Sequence, residues 1–338
     1  MSASASLTSH LSAASQTLPE VPSQQRLSDT VFVVLGQNPG PFTLTGTNTY
    51  LVGNGRLRIL IDTGEGLPDY IDNLETALQA AGAEGLQEIV VTHWHHDHLG
   101  GVPSVIERFG NVPVRKFMPP DVEEPFAGEG ARSPYEIWPR EHFVPLLDGE
   151  VIRTDGATLR VMHTPGHAND HVVLVHEEEK AMFSGDNVLG VGTSFFRHLA
   201  VYMASLEKMR SAIKRDCLAT IYPAHGPIVA DALARVEAYL SHRQQRIDQV
   251  FAVLRNGPPE GLTCKAITLK LYTDIPEGLI PVAAANTLQV LDKLELDGIA
   301  EQVDIGTSSA AGSGNADVSS SLGRQALWRR RAQPRHRL

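Results

Sequence analysis

The segment THWHHDHLGG, from Thr92 to Gly101, brings titratable side chains close together along the chain. Four histidines and one aspartate fall within the six positions from His93 to His98. Imidazole and carboxylate groups are the ligands that zinc and similar divalent cations accept in proteins. The segment therefore predicts a metal site. It does not specify the metal, because zinc, iron and manganese all accept such ligands.

Three further segments each offer a ligand beside a glycine or a proline. They are HTPGH, with His163 and His167, FSGD, with Asp186, and YPAHG, with His225. Each match by itself is a weak signal, because such short patterns occur by chance. All four segments in this order, each following an apolar run, predict that the fold brings their ligands into one site.

The elements that must position these residues alternate between strand and helix. The apolar runs VFVVLG, LRILIDTG and QEIVVTH predict short buried strands, and the last of them ends at His93. The segment from Leu67 to Ala81, LPDYIDNLETALQAA, carries apolar residues at helical spacing. The candidate ligands therefore lie in loops at strand ends, where rigid elements can hold a site in place.

The combined pattern resembles the metallo-β-lactamase superfamily, whose motifs are Thr-His-x-His-x-Asp-His, a downstream His, a bridging Asp and a final His. The resemblance extends from Val31 to Gly226. It implies an α/β fold of four layers, αββα, followed by a small C-terminal module that is helical and winged-helix-like. It also implies two divalent metal ions as cofactors, with zinc as the expected metal.

Carried over position by position, the resemblance assigns seven metal ligands, with Asp186 bridging the two ions. The other ligands are His93, His95 and His167 at the first ion, and Asp97, His98 and His225 at the second. Asp97 and Asp186 are the implied catalytic residues, and Asp97 would hold a hydroxide between the ions and pass its proton to the leaving group. Asp62 is implied to support the ligand histidines. His96 is not expected to be a ligand, because alternating residues along a loop cannot all face one cation.

Three longer stretches narrow the resemblance to one subgroup of this superfamily. NPGPFTLTGTNTYLVG, HTPGHANDHVVLV and YLSHRQQRIDQVF resemble the subgroup that contains the β-lactamase-like protein 2 endoribonucleases and the fungal thioesterases that release polyketides from acyl carrier protein. In this subgroup Asn48, Thr49 and His171 would contact the substrate. Asp186 stands where the best-known zinc β-lactamases have a cysteine, which argues against antibiotic hydrolysis as the native activity.

Several substrates fit this subgroup. The favoured hypothesis is an endoribonuclease that cleaves single-stranded RNA with a metal-activated bridging hydroxide. The alternatives are a thioesterase that releases an acyl or polyketide chain from acyl carrier protein, and a glyoxalase II-like thiolesterase. A scaffold without activity is disfavoured, because all seven ligand positions are filled. The net charge of -10 favours a thioester slightly. Four aromatic residues could stack unpaired bases, namely Phe195, Phe196, Tyr202 and Tyr272.

The composition of the chain predicts its domain organisation. Residues 1–29 and 305–338 are rich in small polar residues and are predicted to be disordered. Residues 30–229 are predicted to form the catalytic domain and residues 230–304 the C-terminal module. No apolar run is long enough for a membrane span, so no membrane contact is expected. The two cysteines suit a reducing compartment, and the resemblance implies the mitochondrial matrix or the cytoplasm.

Overall fold

A first sheet follows the order of its strands along the chain. The computed structural model describes residues 22–119, 133–273, 276–303 and 326–331. In this part of the chain seven strands form the sheet, namely β1 (Gln24–Arg26), β2 (Val31–Leu35), β3 (Asn48–Val52), β4 (Leu57–Ile61), β5 (Gly85–Val91), β6 (Val114–Phe117) and β7 (Phe143–Leu146). Strands β1 to β4 pair antiparallel and strands β4 to β7 pair parallel. The parallel strands place their carboxyl ends at one edge of the sheet.

A second sheet follows the first along the chain. It contains five described strands, namely β8 (Val151–Thr154), β9 (Ala157–His163), β10 (Val172–His176), β11 (Ala181–Gly185) and β12 (Thr220–Pro223). The strand order is β12-β11-β10-β9-β8, and only the pair β11 and β12 is parallel. Strands β10 and β11 are buried along their whole length, as their uninterrupted apolar sequences predict.

Six helices accompany these sheets within the described residues, together with a short 3₁₀ helix at Arg140–His142. The helices are α1 (Pro68–Ala80), α2 (His96–Leu99), α3 (Val102–Phe109), α4 (Pro134–Ile137), α5 (Leu199–Asp216) and α6 (Ala232–Arg255). Helix α1 begins at a proline, which suits a first helical position, and it buries Tyr70, Leu74 and Leu78 at helical spacing. None of these helices combines the length and the hydropathy that a membrane span requires.

Two apolar clusters hold the layers together. The first lies between the sheets and joins side chains such as Tyr50 and Ile61 of the first sheet to Leu159 and Phe183 of the second. The other cluster packs α1 and α3 against the outer face of the first sheet. Helix α5 lies beside loops of the second sheet, because Tyr202 there donates a hydrogen bond from its hydroxyl to the carbonyl of Asn187. This arrangement confirms the predicted αββα fold class.

A second compact unit is formed mainly by the C-terminal part of the chain. The described residues divide into 22–197 with 201–239, and 198–200 with those from 240 onward. The described elements confined to the second unit are α7 (Cys264–Leu271), a 3₁₀ helix (Glu277–Leu279), α8 (Ile280–Leu296), β13 (Leu262–Thr263), β14 (Ala300–Val303) and β15 (Leu327–Arg330). The strands form an antiparallel sheet in the order β13-β15-β14. Two helices beside such a small sheet agree with the predicted winged-helix-like module. The predicted domain boundaries stay predictions.

Two segments that were predicted to be disordered contain strands instead. Strand β1 lies within residues 1–29 and pairs with β2. Strand β15 lies within residues 305–338, pairs with β14 and β13, and buries Trp328, which is 3% exposed. In both cases the stabilising partner comes from another element, so the local composition gave no sign of it. The rest of both predictions falls mostly on residues 1–21, 305–325 and 332–338, which lie outside the described residues.

Candidate metal centre

The histidine-rich segment is held at the carboxyl end of β5 by the neighbouring strand. Asp62 directly follows β4, which pairs with β5 in parallel, so its carboxylate lies beside Thr92. One carboxylate oxygen of Asp62 accepts a hydrogen bond from the backbone N–H of Thr92 at 2.8 Å, and the other accepts one from the Thr92 hydroxyl at 2.8 Å. Asp62 also lies 2.8 Å from Nδ1 of His98. This buried carboxylate therefore fixes both the loop and the orientation of one imidazole.

The first group of candidate ligands contains His93, His95, His167 and Asp186, whose ligand atoms all lie within 4.8 Å of one another. Nδ1 of His95 lies 2.9 Å from Nε2 of His93 and 3.0 Å from Nε2 of His167. The first two residues follow β5, whereas the other two follow strands of the second sheet. The sheets therefore meet at this group, which the sequence predicted as the first metal site.

The second group contains Asp97, His98 and His225, with ligand atoms within the same limit of 4.8 Å. One carboxylate oxygen of Asp97 lies 3.2 Å from Nε2 of His98 and 3.1 Å from Nε2 of His225. Asp186 connects the two groups, because one of its oxygens lies 3.5 Å from His167 and the other lies 3.2 Å from His225. The fold thus brings together all seven residues that were predicted as ligands.

Unsatisfied buried atoms indicate that these groups suit cations. Nε2 of His98 and Oδ1 of Asp186 are buried and have no hydrogen-bond partner among the described residues. Nδ1 of His98 faces Asp62, so Nε2 is directed at the other two carboxylates. Burial opposes a charge on this ring, yet Asp97 and Asp186 raise the pKa of His98 well above its ordinary value, so Nε2 holds a proton that a cation would replace. Two acceptors that face each other at 3.5 Å repel one another unless a proton or a cation lies between them. The donor set of imidazoles and carboxylates therefore fits divalent metal ions.

The electrostatics of the cluster keep some ligands ready to bind a cation and hold protons on others. Burial lowers the pKa of His95 to about 3, so this imidazole is neutral. Burial by itself would raise the pKa of Asp186, but His225 and His98 hold it well below its usual range. Burial opposes a charge on His225, yet Asp186 and Asp97 raise its pKa to about 9. Without a cation the cluster therefore keeps protons that a bound metal ion would replace.

The three residues predicted to contact substrate are buried and have structural partners. The Asn48 side-chain amide donates hydrogen bonds to the carbonyls of Pro223 and Gly226, each at 2.9 Å, and so holds the loop that carries His225. The Thr49 hydroxyl donates to the carbonyl of Val34. His171 is 0% exposed and accepts a hydrogen bond from the backbone N–H of Asp186 at 3.1 Å. All three side chains are buried against structural partners, and their predicted contact with substrate stays a prediction.

Other residues of the site were not identified from the sequence. The Thr47 hydroxyl lies 3.1 Å from Oδ2 of Asp97, and the carbonyl of Phe195 accepts a hydrogen bond from Nδ1 of His167 at 2.8 Å. Thr47 belongs to the stretch GTNTYL, in which the sequence analysis predicts the next two residues, Asn48 and Thr49, as substrate contacts. His96 is exposed and lies outside both ligand groups.

The fold and this pair of ligand groups define a class of metal-dependent hydrolases. A family model described as Metallo-beta-lactamase superfamily matches residues 42–225, and one described as Beta-lactamase associated winged helix domain matches residues 263–308. The chain belongs to the metallo-β-lactamase superfamily and is an enzyme of the hydrolase type.

Similar proteins support this assignment. The Beta-lactamase-like protein 2 homolog of Drosophila melanogaster is 40% identical over 280 residues, which cover 82% of this chain and 92% of that protein. An atrochrysone carboxyl ACP thioesterase of Cryptosporiopsis sp. is 38% identical over 297 residues, which cover 83% of this chain and 84% of that protein. A β-lactamase domain protein from Burkholderia ambifaria has the same fold, with a TM-score of 0.70 at 18% identity, covering 94% of this chain and 96% of that structure.

Proposed function

We propose that this protein is a dinuclear metal-dependent hydrolase with Asp186 as the bridging ligand. The observation that carries the proposal is the convergence of seven buried or half-buried ligand side chains in two groups that share this carboxylate. The first ion would be held by His93, His95 and His167, and the second by Asp97, His98 and His225. Zinc is the proposed metal, because imidazole and carboxylate ligands suit it. When bound, two such ions lower the pKa of water and polarise a carbonyl or phosphoryl oxygen.

The residues of the chain supply positioning and proton transfer. Asp97 is half-buried, and its Oδ2 lies within hydrogen-bond distance of Thr47, which orients the carboxylate. A carboxylate in this position can accept a proton from the attacking water and pass it to the leaving group. His98 keeps its orientation through the carboxylate of Asp62. We therefore propose Asp97 and Asp186 as the catalytic carboxylates, with Asp62 and Thr47 as positioning residues.

We propose an acyl thioester carried on acyl carrier protein as the substrate. One support is the similarity to proteins that are named ACP thioesterases. A second is that two of the four aromatic residues expected to stack bases are buried, since Tyr202 is 0% exposed and Tyr272 is 3% exposed, whereas Phe195 is exposed. We therefore place the thioester before RNA as the proposed substrate, which reverses the order that the sequence predicts. The two free thiols, Cys217 and Cys264, agree with the proposed location in the mitochondrial matrix or the cytoplasm.

Endonucleolytic cleavage of single-stranded RNA is the second candidate function. The observation that favours it is a run of exposed arginines, Arg329, Arg330 and Arg331, at the end of β15 in the second unit. Guanidinium groups on such a strand could contact phosphates. Arg329 and Arg331 both face the carboxylate of Glu301, which reduces the charge that they offer.

The test compares both substrates on purified, zinc-loaded protein. One reaction contains an acyl carrier protein charged with an acyl thioester, and the other a labelled single-stranded RNA oligonucleotide. The Asp186→Asn variant serves as the control, because it removes the shared charge and is expected to lose most of its bound metal. Thioester hydrolysis by the unmodified protein and none by the variant would support the proposal. Cleavage of RNA alone would move the assignment to the second candidate, and inertness toward both would refute each.

A further inference from the structure

Two aromatic rings meet at the surface beside the metal centre. Phe42 is 73% exposed and Phe195 is 49% exposed, which is unusual for such large apolar side chains. Their ring centroids are 5.9 Å apart and the ring planes are inclined at 62°, an edge-to-face arrangement. The two residues are distant in sequence, so the fold, and not a local turn, brings the rings together.

The loop that carries Phe42 is attached to the second ligand group. Residue Thr47 at its end forms a β-bridge with His225 and donates its hydroxyl proton toward Asp97. Within the loop, the side-chain amide of Asn38 bonds both the backbone N–H and the hydroxyl of Thr47, at 2.9 and 3.1 Å. The position of Phe42 is therefore tied to two of the proposed ligands of the second ion.

The segment that carries Phe195 is attached to the first ligand group. The carbonyl of Phe195 accepts the hydrogen bond from Nδ1 of His167, and the hydroxyl of Ser194 lies 3.2 Å from the same nitrogen. The next ring, that of Phe196, stacks on the buried Tyr202 with an interplanar angle of 12°. Because this neighbour is anchored inward, Phe195 is left at the surface. The segments that carry the two exposed rings are thus each bonded to a different ligand group.

We propose that Phe42 and Phe195 form an aromatic subsite that binds the apolar acyl group of the thioester while its carbonyl lies at the metal centre. This inference rests on the proposed thioesterase function and adds the chemical class of acyl group. Exposed rings gain stability when an apolar surface covers them, and ring–ring contacts add a directional preference for aromatic groups. The subsite would therefore select large aromatic acyl chains over short aliphatic ones.

The test measures kcat/KM for two pantetheine thioesters, one with an acetyl group and one with a bicyclic aromatic acyl group. For Phe42→Ala and Phe195→Ala we expect the ratio of aromatic to acetyl kcat/KM to fall about tenfold. Phe195→Leu keeps an apolar side chain and should lose less of the ratio than Phe195→Ala. Leu147→Ala is the control. Leu147 is 66% exposed and lies in the turn between β7 and β8, so its loss should leave the ratio unchanged.

The possible outcomes separate this inference from the proposed function. If the unmodified protein hydrolyses neither thioester, the proposed function fails, and the inference fails with it. If it hydrolyses both thioesters and the alanine variants keep the normal ratio, or lose both activities equally, only the aromatic subsite is wrong. If RNA is the sole substrate and the variants reduce its cleavage, the rings bind nucleobases and the acyl assignment is overturned. Bound metal is measured for every variant, so that a damaged centre is recognised.

Discussion

At the scale of single residues, His171 connects the second sheet to Asp186, the carboxylate that we propose as the bridging ligand. Its Nε2 accepts the backbone N–H of Asp186, and its Nδ1 lies 3.1 Å from the hydroxyl of Thr164. Burial, together with the charge of His167, keeps the pKa of His171 well below its ordinary value, so the ring remains neutral and can accept this hydrogen bond. Gly185 is required beside it, because a Cβ atom there would lie 2.6 Å from Nε2 of His171 and its φ is +50°.

We expect His171→Ala to weaken metal binding about 10- to 100-fold, because Asp186 would lose the partner that fixes its backbone. The measurement is competition for zinc with a chromogenic chelator. His96→Ala is the matched control, since His96 is exposed and lies outside both ligand groups, and it should leave the affinity unchanged. Equal affinities in His171→Ala and the unmodified protein would show that His171 does not position the carboxylate.

The ligands themselves could be predicted from the sequence, because their residue types and order form a recognisable motif. Asp62, which orients His98, was predicted with them, but the other contacts that orient the ligands could not be predicted. The bond between Thr47 and Asp97 joins positions 50 residues apart, and the bond between His171 and Asp186 joins positions 15 residues apart. Asn48, Thr49 and His171 were expected to face substrate because they lie in the distinctive stretches. Their burial shows that a distinctive stretch can support the site from within the core.

At the scale of elements, the turn after β4 must pass very close to the start of α3. The carbonyl of Thr63 lies only 2.0 Å from where a Cβ atom of residue 101 would stand. Gly101 itself has an ordinary φ of -82°, so the constraint is space and not backbone conformation. This close approach brings the loop that begins at Asp62 alongside the histidine segment.

We therefore expect Gly101→Ala to lower the free energy of unfolding by about 1–3 kcal/mol or more, because the backbone carbonyl cannot move aside as a side chain could. Urea unfolding followed by circular dichroism measures this difference. Gly85→Ala is the control, because the nearest atom to its added Cβ is Leu57 Cδ2 at 3.7 Å, an ordinary contact. Similar stabilities for the two variants would contradict the crowding argument.

Strands inside the two sheets were predictable from their apolar runs, whereas the terminal strands β1 and β15 were not. The inner strands can be recognised from their own apolar sequences, since strands such as β2 and β11 are buried along their whole length. The terminal strands are short, with the sequences QQR in β1 and LWRR in β15, and pairing with β2 or β14 stabilises them. Local patterns therefore identify the interior of this fold better than its edges.

At the scale of the whole molecule, metal binding should contribute to stability. Both ligand groups collect side chains that are distant in sequence, so the unfolded chain cannot present them together. Removing zinc with a chelator is expected to lower Tm by about 5–10 °C, because an ion that binds only the native state stabilises it by mass action. Differential scanning calorimetry measures the shift, and restoring zinc should reverse it. Asp186→Asn should show a much smaller response, and an equal response would argue against the shared carboxylate.

The separation of the two sheets along the chain has a further consequence. Strands β1 to β7 precede the turn at residues 147–150, and strands β8 to β12 follow it. Each ligand group draws on both sides of this turn, since His93 and Asp97 come before it and His167 and His225 come after it. If the chain were divided at this turn, neither fragment would contain all the residues of either ligand group. Hydrolysis by the mixed fragments would then report their reassociation, which makes the turn a rational place to divide the protein into a complementation pair.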